Sequence, residues 1–238
     1  MLTQKTKFVF DFDGVICDSI KECYFTAFHL YYKISNIKSF NIFYKKNFLK
    51  LKKLRVFVKS GLDYFVVIYI LDKKLIIKNK KDFKNAKVIL DISENKIDKL
   101  FYRYRKKFFK KNYILWIAMN PLYKGLKKIL IKLIKDNILY VLTYKNKKSV
   151  LDILNHNKIF IPKENVISLP YTKSKKIFFK KNNNYIFIED NISNLLDIDT
   201  INVKRYLAQW GYNSNSEISL AKKNKINILS INKIRNLI

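Results

Sequence analysis

The chain has 238 residues, a length that fits one domain of ordinary size or a core carrying an inserted subdomain. Hydrophobic residues make up 49% and aromatics 15%, enough to bury a substantial core, which excludes wholesale disorder. Against 18 Asp+Glu stand 49 Lys+Arg, a formal charge of +31, so the surface attracts anions through a field that salt screens.

The first element expected is a buried strand in "KFVFDFD" (Lys7–Asp13), an apolar run that ends in carboxylates. Asp11, Asp13 and Asp18 crowd around Gly14, one of only four glycines, and acids this close repel unless a cation or a proton lies among them. A helix start follows, where Ser19 with Glu22 three residues on reads as a capping box. Behind it Ile20, Cys23, Tyr24, Ala27, Phe28 and Tyr31 recur at helical spacing. From about Tyr32 to Met119 the chain is lysine-rich with helix-like apolar spacing in places, clearest in "ENKIDKLFYRYRKKFF" (Glu94–Phe109), and this region reads as a mostly helical insertion. "YFVVIYIL" (Tyr64–Leu71) is among the longest apolar runs, far short of the roughly 18–20 residues that a membrane span needs.

After "NPLYKG" (Asn120–Gly125) the pattern becomes regular. Helices are expected in "LKKILIKLIKDN" (Leu126–Asn137), "KKSVLDILNHN" (Lys147–Asn157), "KSKKIFFKK" (Lys173–Lys181) and "SEISLAKK" (Ser216–Lys223). Strands are expected in "ILYVLT" (Ile138–Thr143), "NVISL" (Asn165–Leu169), "YIFIED" (Tyr185–Asp190), "VKRYLAQW" (Val203–Trp210) and "INILSI" (Ile226–Ile231). Strand and helix alternate through short connections, which implies a parallel sheet with right-handed crossovers. The fold class expected is α/β, a doubly wound Rossmann-like core over residues 1–19 and 120–238, with a mostly helical subdomain over 20–119 inserted after the first strand.

Ligands of such sheets bind at the carboxyl ends of the strands. Asp11 and Asp13 end the first strand, Thr143 ends "ILYVLT", and Glu189 and Asp190 end "YIFIED", so residues distant in sequence meet at one crevice if these strands are neighbours. A lysine is expected beside them, from "YTKSKK". Lys173, Lys175 and Lys176 are the candidates, and Lys173 is chosen because Ile177 and Phe178 then open a helix at suitable offsets.

The stretch "FVFDFDGVICDS" resembles the first motif of the haloacid dehalogenase superfamily, Asp-x-Asp followed by Gly and then Asp-Ser. Thr143 is similar to the second motif, the lysine of "TKSKK" to the third, and "YIFIED" to the fourth, in that order over Lys7 to Asn194. "LAQWGYNS" resembles the strand and turn that follow in phosphoglycolate phosphatase-like members, and the insertion matches the helical cap of that branch. The resemblance implies a phosphatase that acts on a small phosphorylated metabolite. Asp11 would be the nucleophile that forms an aspartyl-phosphate, and Asp13 the general acid and base. Mg²⁺ would be held by Asp11, the Asp13 carbonyl and Asp190, and Thr143 and Lys173 would hold the phosphoryl oxygens. The fourth motif departs from the pattern: Glu189 replaces a glycine and Asn194 stands where a second acid is usual. Both are ancillary candidates at the metal. A phosphomutase would use the same Asp pair.

Other features are bland. Cys17 and Cys23 suggest no disulfide framework, and the strand begins within a few residues of the start, leaving no room for a signal peptide. A cytoplasmic protein with no membrane association is therefore expected. Arg55, Arg103 and Arg105 of the insertion are candidates for gripping a substrate's remote anion. The charge admits an alternative function, a catalytically weak relative that binds nucleic acid or another polyanion through its basic surface. It is not favoured. The excess is nearly all lysine, spread along the chain and accompanied by abundant Asn, Ile, Phe and Tyr, the residues of an A/T-rich coding sequence.

Overall fold

The computed structural model describes residues 5–199 and 202–238. Its sheet contains β1 (Lys7–Phe10), β2 (Leu139–Thr143), β3 (Val166–Ser168), β4 (Tyr185–Glu189), β5 (Val203–Ala208) and β6 (Asn227–Leu229). All pairings are parallel and the order is β3-β2-β1-β4-β5-β6. β1 lies between β2 and β4, with Val9 opposite both Tyr140 and Phe187. The near-continuous burial of β1, β2 and β4 is what a parallel sheet with elements on its faces requires. Strand order reverses at β1, which makes the carboxyl ends of β1, β2 and β4 the expected crevice.

The chain divides into two compact units, one built from the segments up to Asp18 and from Pro121 onward, the other from Ser19–Asn120. The second unit is helical: α1 (Ile20–Tyr32), α2 (Ile37–Leu54), α3 (Gly61–Asp72), α4 (Lys80–Ile89), α5 (Glu94–Lys111) and α6 (Tyr113–Ala118). The apolar run Tyr64–Leu71 lies inside α3, and it is apolar on nearly all sides because α3 is the central helix of this unit. Ser60 and Asp63 form a capping box at its start, and Lys87 reaches Asp63 at 3.2 Å. Phe25, Phe28 and Phe40 pack edge to face at 5.2 and 5.6 Å between α1 and α2.

The capping box expected at Ser19 and Glu22 does not form. Ser19 stands at the N-cap without a side-chain cap bond, and the fully buried Glu22 carboxylate accepts three bonds from Arg105 at 2.6–2.9 Å. A bidentate guanidinium competes better for a carboxylate than one backbone amide does. This also corrects Arg105 as an anion gripper, since its guanidinium is spent inside the helical unit. Arg55 donates to the Val58 carbonyl and lies over Tyr64.

In the first unit the helices are α7 (Leu126–Lys135), α8 (Lys147–His156), α9 (Ile192–Leu196), α10 (Asn215–Lys223) and α11 (Ile231–Ile234). Ile192 and Leu195 of α9 and Ala221 of α10 bury against Val9, Leu142, Phe187 and Leu207 on one sheet face. Right-handed crossovers put α7 and α8 on the opposite face. The helix expected over Lys173–Lys181 is absent: only a single 3₁₀ turn, Lys175–Phe178, forms there. Phe179 is instead extended and packs on Tyr185 and Phe187 at 5.1 and 5.2 Å, so burial of an aromatic on β4 overrides a weak helical preference. Among the described residues, no helix is long and apolar enough to cross a membrane.

Candidate active site

Asp11 follows β1 directly and its carboxylate is buried. Glu189 ends β4, Asp190 follows it, and both are buried. Carboxylate oxygens of Asp11, Glu189 and Asp190 all lie within 4.8 Å of one another. The ammonium of Lys175 sits between two of them, 2.7 Å from Asp11 and 2.6 Å from Glu189. Lys175 is the first residue of the 3₁₀ turn, where Ser174 accepts a bond from the Lys176 amide. The same turn is tied to β4 through Phe178, whose ring lies 5.8 Å from that of Tyr185.

Lys175 is therefore the lysine of the site, and Lys173 is not. Lys173 is exposed and only its backbone is engaged, with its carbonyl accepting from the Tyr144 hydroxyl. The offsets that pointed to Lys173 assumed a helix starting at Ile177, and that helix does not exist. Lys176 is exposed.

Burial pushes the Asp11 carboxyl up to about 7, with Glu189 adding to the rise and the Lys175 ammonium opposing it. Burial by itself would lower the Lys175 ammonium, but Asp11 and Glu189 outweigh it and raise it, so this lysine is charged. Asp11 and Glu189 thus share one ammonium, with the Asp190 carboxylate close beside them.

Asp13 lies beside this cluster on the loop that continues β1, and its carboxylate accepts from Lys145 at 2.9 Å. Lys145 is a site residue that sequence reasoning missed. Its side chain is 2% exposed, in a protein whose lysines mostly face solvent. The only signal in sequence was its place two residues after Thr143, at the end of a buried strand. Thr143 is buried, and its hydroxyl oxygen accepts from the Lys145 amide at 3.1 Å, which turns the chain so that the lysine faces Asp13. Ser168 supports the turn by donating to the Lys145 carbonyl.

The two ancillary candidates turn toward each other. Both Glu189 oxygens are engaged by the protein, one by the Asp190 and Asn191 amides and the other by Lys175 and Asn194 Nδ2. Glu189 is thereby a brace for Lys175, and Asn194 a brace for Glu189. Asp190 is fixed differently: the Tyr212 amide donates to its Oδ2 at 2.8 Å. A methyl group on Gly14 would lie 2.1 Å from that same oxygen, and one on Gly211 would lie 2.3 Å from the Asp190 β-carbon. Gly14 also has φ +88°, where a side chain is strained. Two of the four glycines therefore exist to let Asp190 approach the first loop. Trp210 donates to the Val15 carbonyl and the Tyr212 hydroxyl to Asp18, so "WGY" clamps that loop from the other end of the sequence.

Asp11, Asp13, Glu189 and Asp190 carry four formal negative charges against two positive ones from Lys145 and Lys175, an excess of two. Carboxylate oxygens are the donors that Mg²⁺ takes, and ligand oxygens of a Mg²⁺ octahedron stand roughly 3–4 Å apart, so small inward shifts of this set would accommodate the ion. The residues fit a divalent cation by donor type and by charge. Asp11 and Asp190 would hold it, since the oxygens of Glu189 are already engaged.

No protein-family model matches the sequence, and no curated protein sequence matches it. Solved structures do match over nearly the whole chain. A predicted phosphoglycolate phosphatase from Haemophilus somnus is 17% identical with TM-score 0.57, covering 100% of this chain and 99% of its own. A haloacid dehalogenase-like hydrolase from Streptococcus pneumoniae is 14% identical with TM-score 0.57, at 96% and 95% coverage. A predicted phosphatase from Clostridium acetobutylicum is 16% identical with TM-score 0.54, at 98% of both chains. The fold is haloacid dehalogenase-like.

Proposed function

We propose that this protein is a Mg²⁺-dependent phosphatase that hydrolyses a small phosphomonoester through an aspartyl-phosphate on Asp11. The observation that carries the reading is the cluster at the carboxyl ends of β1, β2 and β4, where four carboxylates face two buried lysines. Such a charge pattern destabilises a fold unless it serves a ligand. The likeness to solved hydrolases and phosphatases supports the same reading by analogy of fold.

In this reading the Asp11 carboxylate attacks phosphorus and the ester oxygen departs. Asp13 donates a proton to that oxygen, then takes one from the water that hydrolyses the aspartyl-phosphate. Lys175 and Thr143 hold the phosphoryl oxygens, and Lys175 neutralises charge in the transition state. Lys145 orients Asp13. A bound Mg²⁺, held by Asp11, Asp190 and the Asp13 carbonyl, would supply further neutralisation of phosphoryl charge. The inserted helical unit is proposed to be the cap that selects the leaving group, and the low cysteine content supports a reducing, cytoplasmic setting.

The test is phosphate release from p-nitrophenyl phosphate with and without Mg²⁺, for the wild type and Asp11→Asn. The expected result is metal-dependent release in the wild type and a loss of at least about a thousandfold in the variant. Folded protein without release on this substrate or on a panel of phosphorylated metabolites, and without Mg²⁺ binding, would overturn the reading.

A further inference from the structure

The crossover from β3 to β4 carries no α-helix. Parallel sheets are normally covered on both faces by helices, yet between Ser168 and Tyr185 the chain makes only the 3₁₀ turn Lys175–Phe178. The sheet face that this crossover should cover carries Lys7 and Tyr185, which are register partners, and Tyr140, which pairs with Val9 two residues further along β1. A cavity of about 460 Å³ opens there. Lys7, Tyr140 and Tyr185 line it toward the amino ends of β1, β2 and β4, Ile167 and Leu169 line it along β3, and Asp11, Thr143 and Asp190 are not among its lining residues.

Three features define what would fill it. Tyr140, Phe178 and Tyr185 line it, with ring centroids 5.7 and 5.8 Å apart, so they form one aromatic wall anchored from both sides. Lys7 and Lys180 also line it, with the Lys7 ammonium 5.5 Å from the Tyr140 ring, and none of its lining residues is acidic. Finally, its volume falls in the range of small-molecule pockets, about 300–1,000 Å³. Aromatic walls hold flat rings and lysines hold anions. A second copy of this chain is disfavoured as occupant, since each carries a formal charge of +31.

We propose that this cavity is a second binding site, for a planar aromatic phosphate of the nucleoside monophosphate class, separate from the catalytic crevice. The ring lies against Tyr140 and Phe178, and the phosphate pairs with Lys7 and Lys180. The site stands independently of the phosphatase reading, because no residue lining it belongs to the catalytic cluster.

The experiment is titration with AMP by calorimetry in EDTA, together with photolabelling by 8-azido-AMP and peptide mapping. Lys180→Gln, at an exposed position, and Tyr140→Leu, which keeps an apolar side chain, are the variants. The expected result is saturable AMP binding at 50 mM salt, weakened about fivefold or more by each variant, with label on the peptides that hold Tyr140 or Phe178. Both variants would keep wild-type p-nitrophenyl phosphatase activity if the catalytic reading holds, and AMP binding is read out whether or not it does. Label confined to peptides around Asp11 or Asp190 would overturn the proposal. So would binding that neither variant changes, the absence of saturable binding, or oligo(dT) binding the cavity more than tenfold tighter than AMP, which would make it a single-strand site.

Discussion

Lys175 is the residue on which the site's electrostatics turn. Its ammonium is fully buried between two buried carboxylates, and a buried ion that loses its partner costs about 3–5 kcal/mol. Lys175→Met should therefore lower the denaturation midpoint sharply and abolish phosphate release, whereas Lys173→Met should leave both within error. Urea unfolding with p-nitrophenyl phosphatase assays checks the pair. Equal effects of the two substitutions would contradict the geometry. The contrast also marks how far the site was legible in sequence. The place of Asp11, Asp13, Thr143 and Asp190 at one end of the sheet was readable because each ends or closely follows a buried strand, and strand ends are set by hydrophobic pattern. The lysine was not, because its position depends on how Phe178 and Phe179 seat on β4, a long-range packing choice with no local signal. Lys145 was hidden for another reason: in a chain with 49 Lys+Arg, one more lysine after a strand carries no information until its burial is known.

At the scale of elements, the helical unit depends on α1 and α5 being joined through Glu22 and Arg105. Arg105→Met would leave Glu22 buried without its cation and should destabilise the protein by about 3–5 kcal/mol, while the double variant Glu22→Gln, Arg105→Met should recover most of that. A double-mutant cycle in urea measures this, and additive losses would refute the pairing. His29 on α1 adds a pH dependence. Its ring stacks on Tyr104 of α5 at 3.7 Å. Burial lowers its imidazole below 6.5, Lys33 and Lys107 lower it further, and a backbone bond at Ile34 opposes them. The unfolded chain then binds the proton more readily than the native one, so this stability is present above pH 6.5 and is lost as pH falls below it. Melting temperature should accordingly drop less between pH 7 and pH 5 in His29→Gln than in the wild type. Elements with strong periodicity were legible in outline, as with α5, α7 and the six strands. Two local expectations failed where a tertiary partner outbid a local one: Glu22 left the Ser19 cap for Arg105, and Phe179 left a helix for the sheet.

For the whole molecule the question is whether a charge of +31 is a function or a background. Lysines are scattered over both units and outnumber the acids, and some of the carboxylates gather at the crevice while others, such as Asp63, Asp82 and Glu217, cap helices. A surface of scattered lysines binds any polyanion by counterion release, and binding of that kind falls steeply with salt. A dedicated nucleic-acid protein adds base stacking and fixed phosphate contacts, which survive at physiological salt. A random-sequence single-stranded oligonucleotide should therefore bind at 50 mM salt and lose roughly a thousandfold in affinity by 200 mM, while phosphate release falls by no more than about threefold over the same range. Asp11, Lys175, Glu189 and Asp190 are buried and shielded from bulk ions, so the chemistry proposed for them has little reason to follow the surface. Fluorescence anisotropy and phosphatase assays in the same salt series make the comparison. Oligonucleotide binding that stays submicromolar at 200 mM salt, with no phosphate release at any salt, would reverse the order of the two readings and make the basic surface the working part of the molecule.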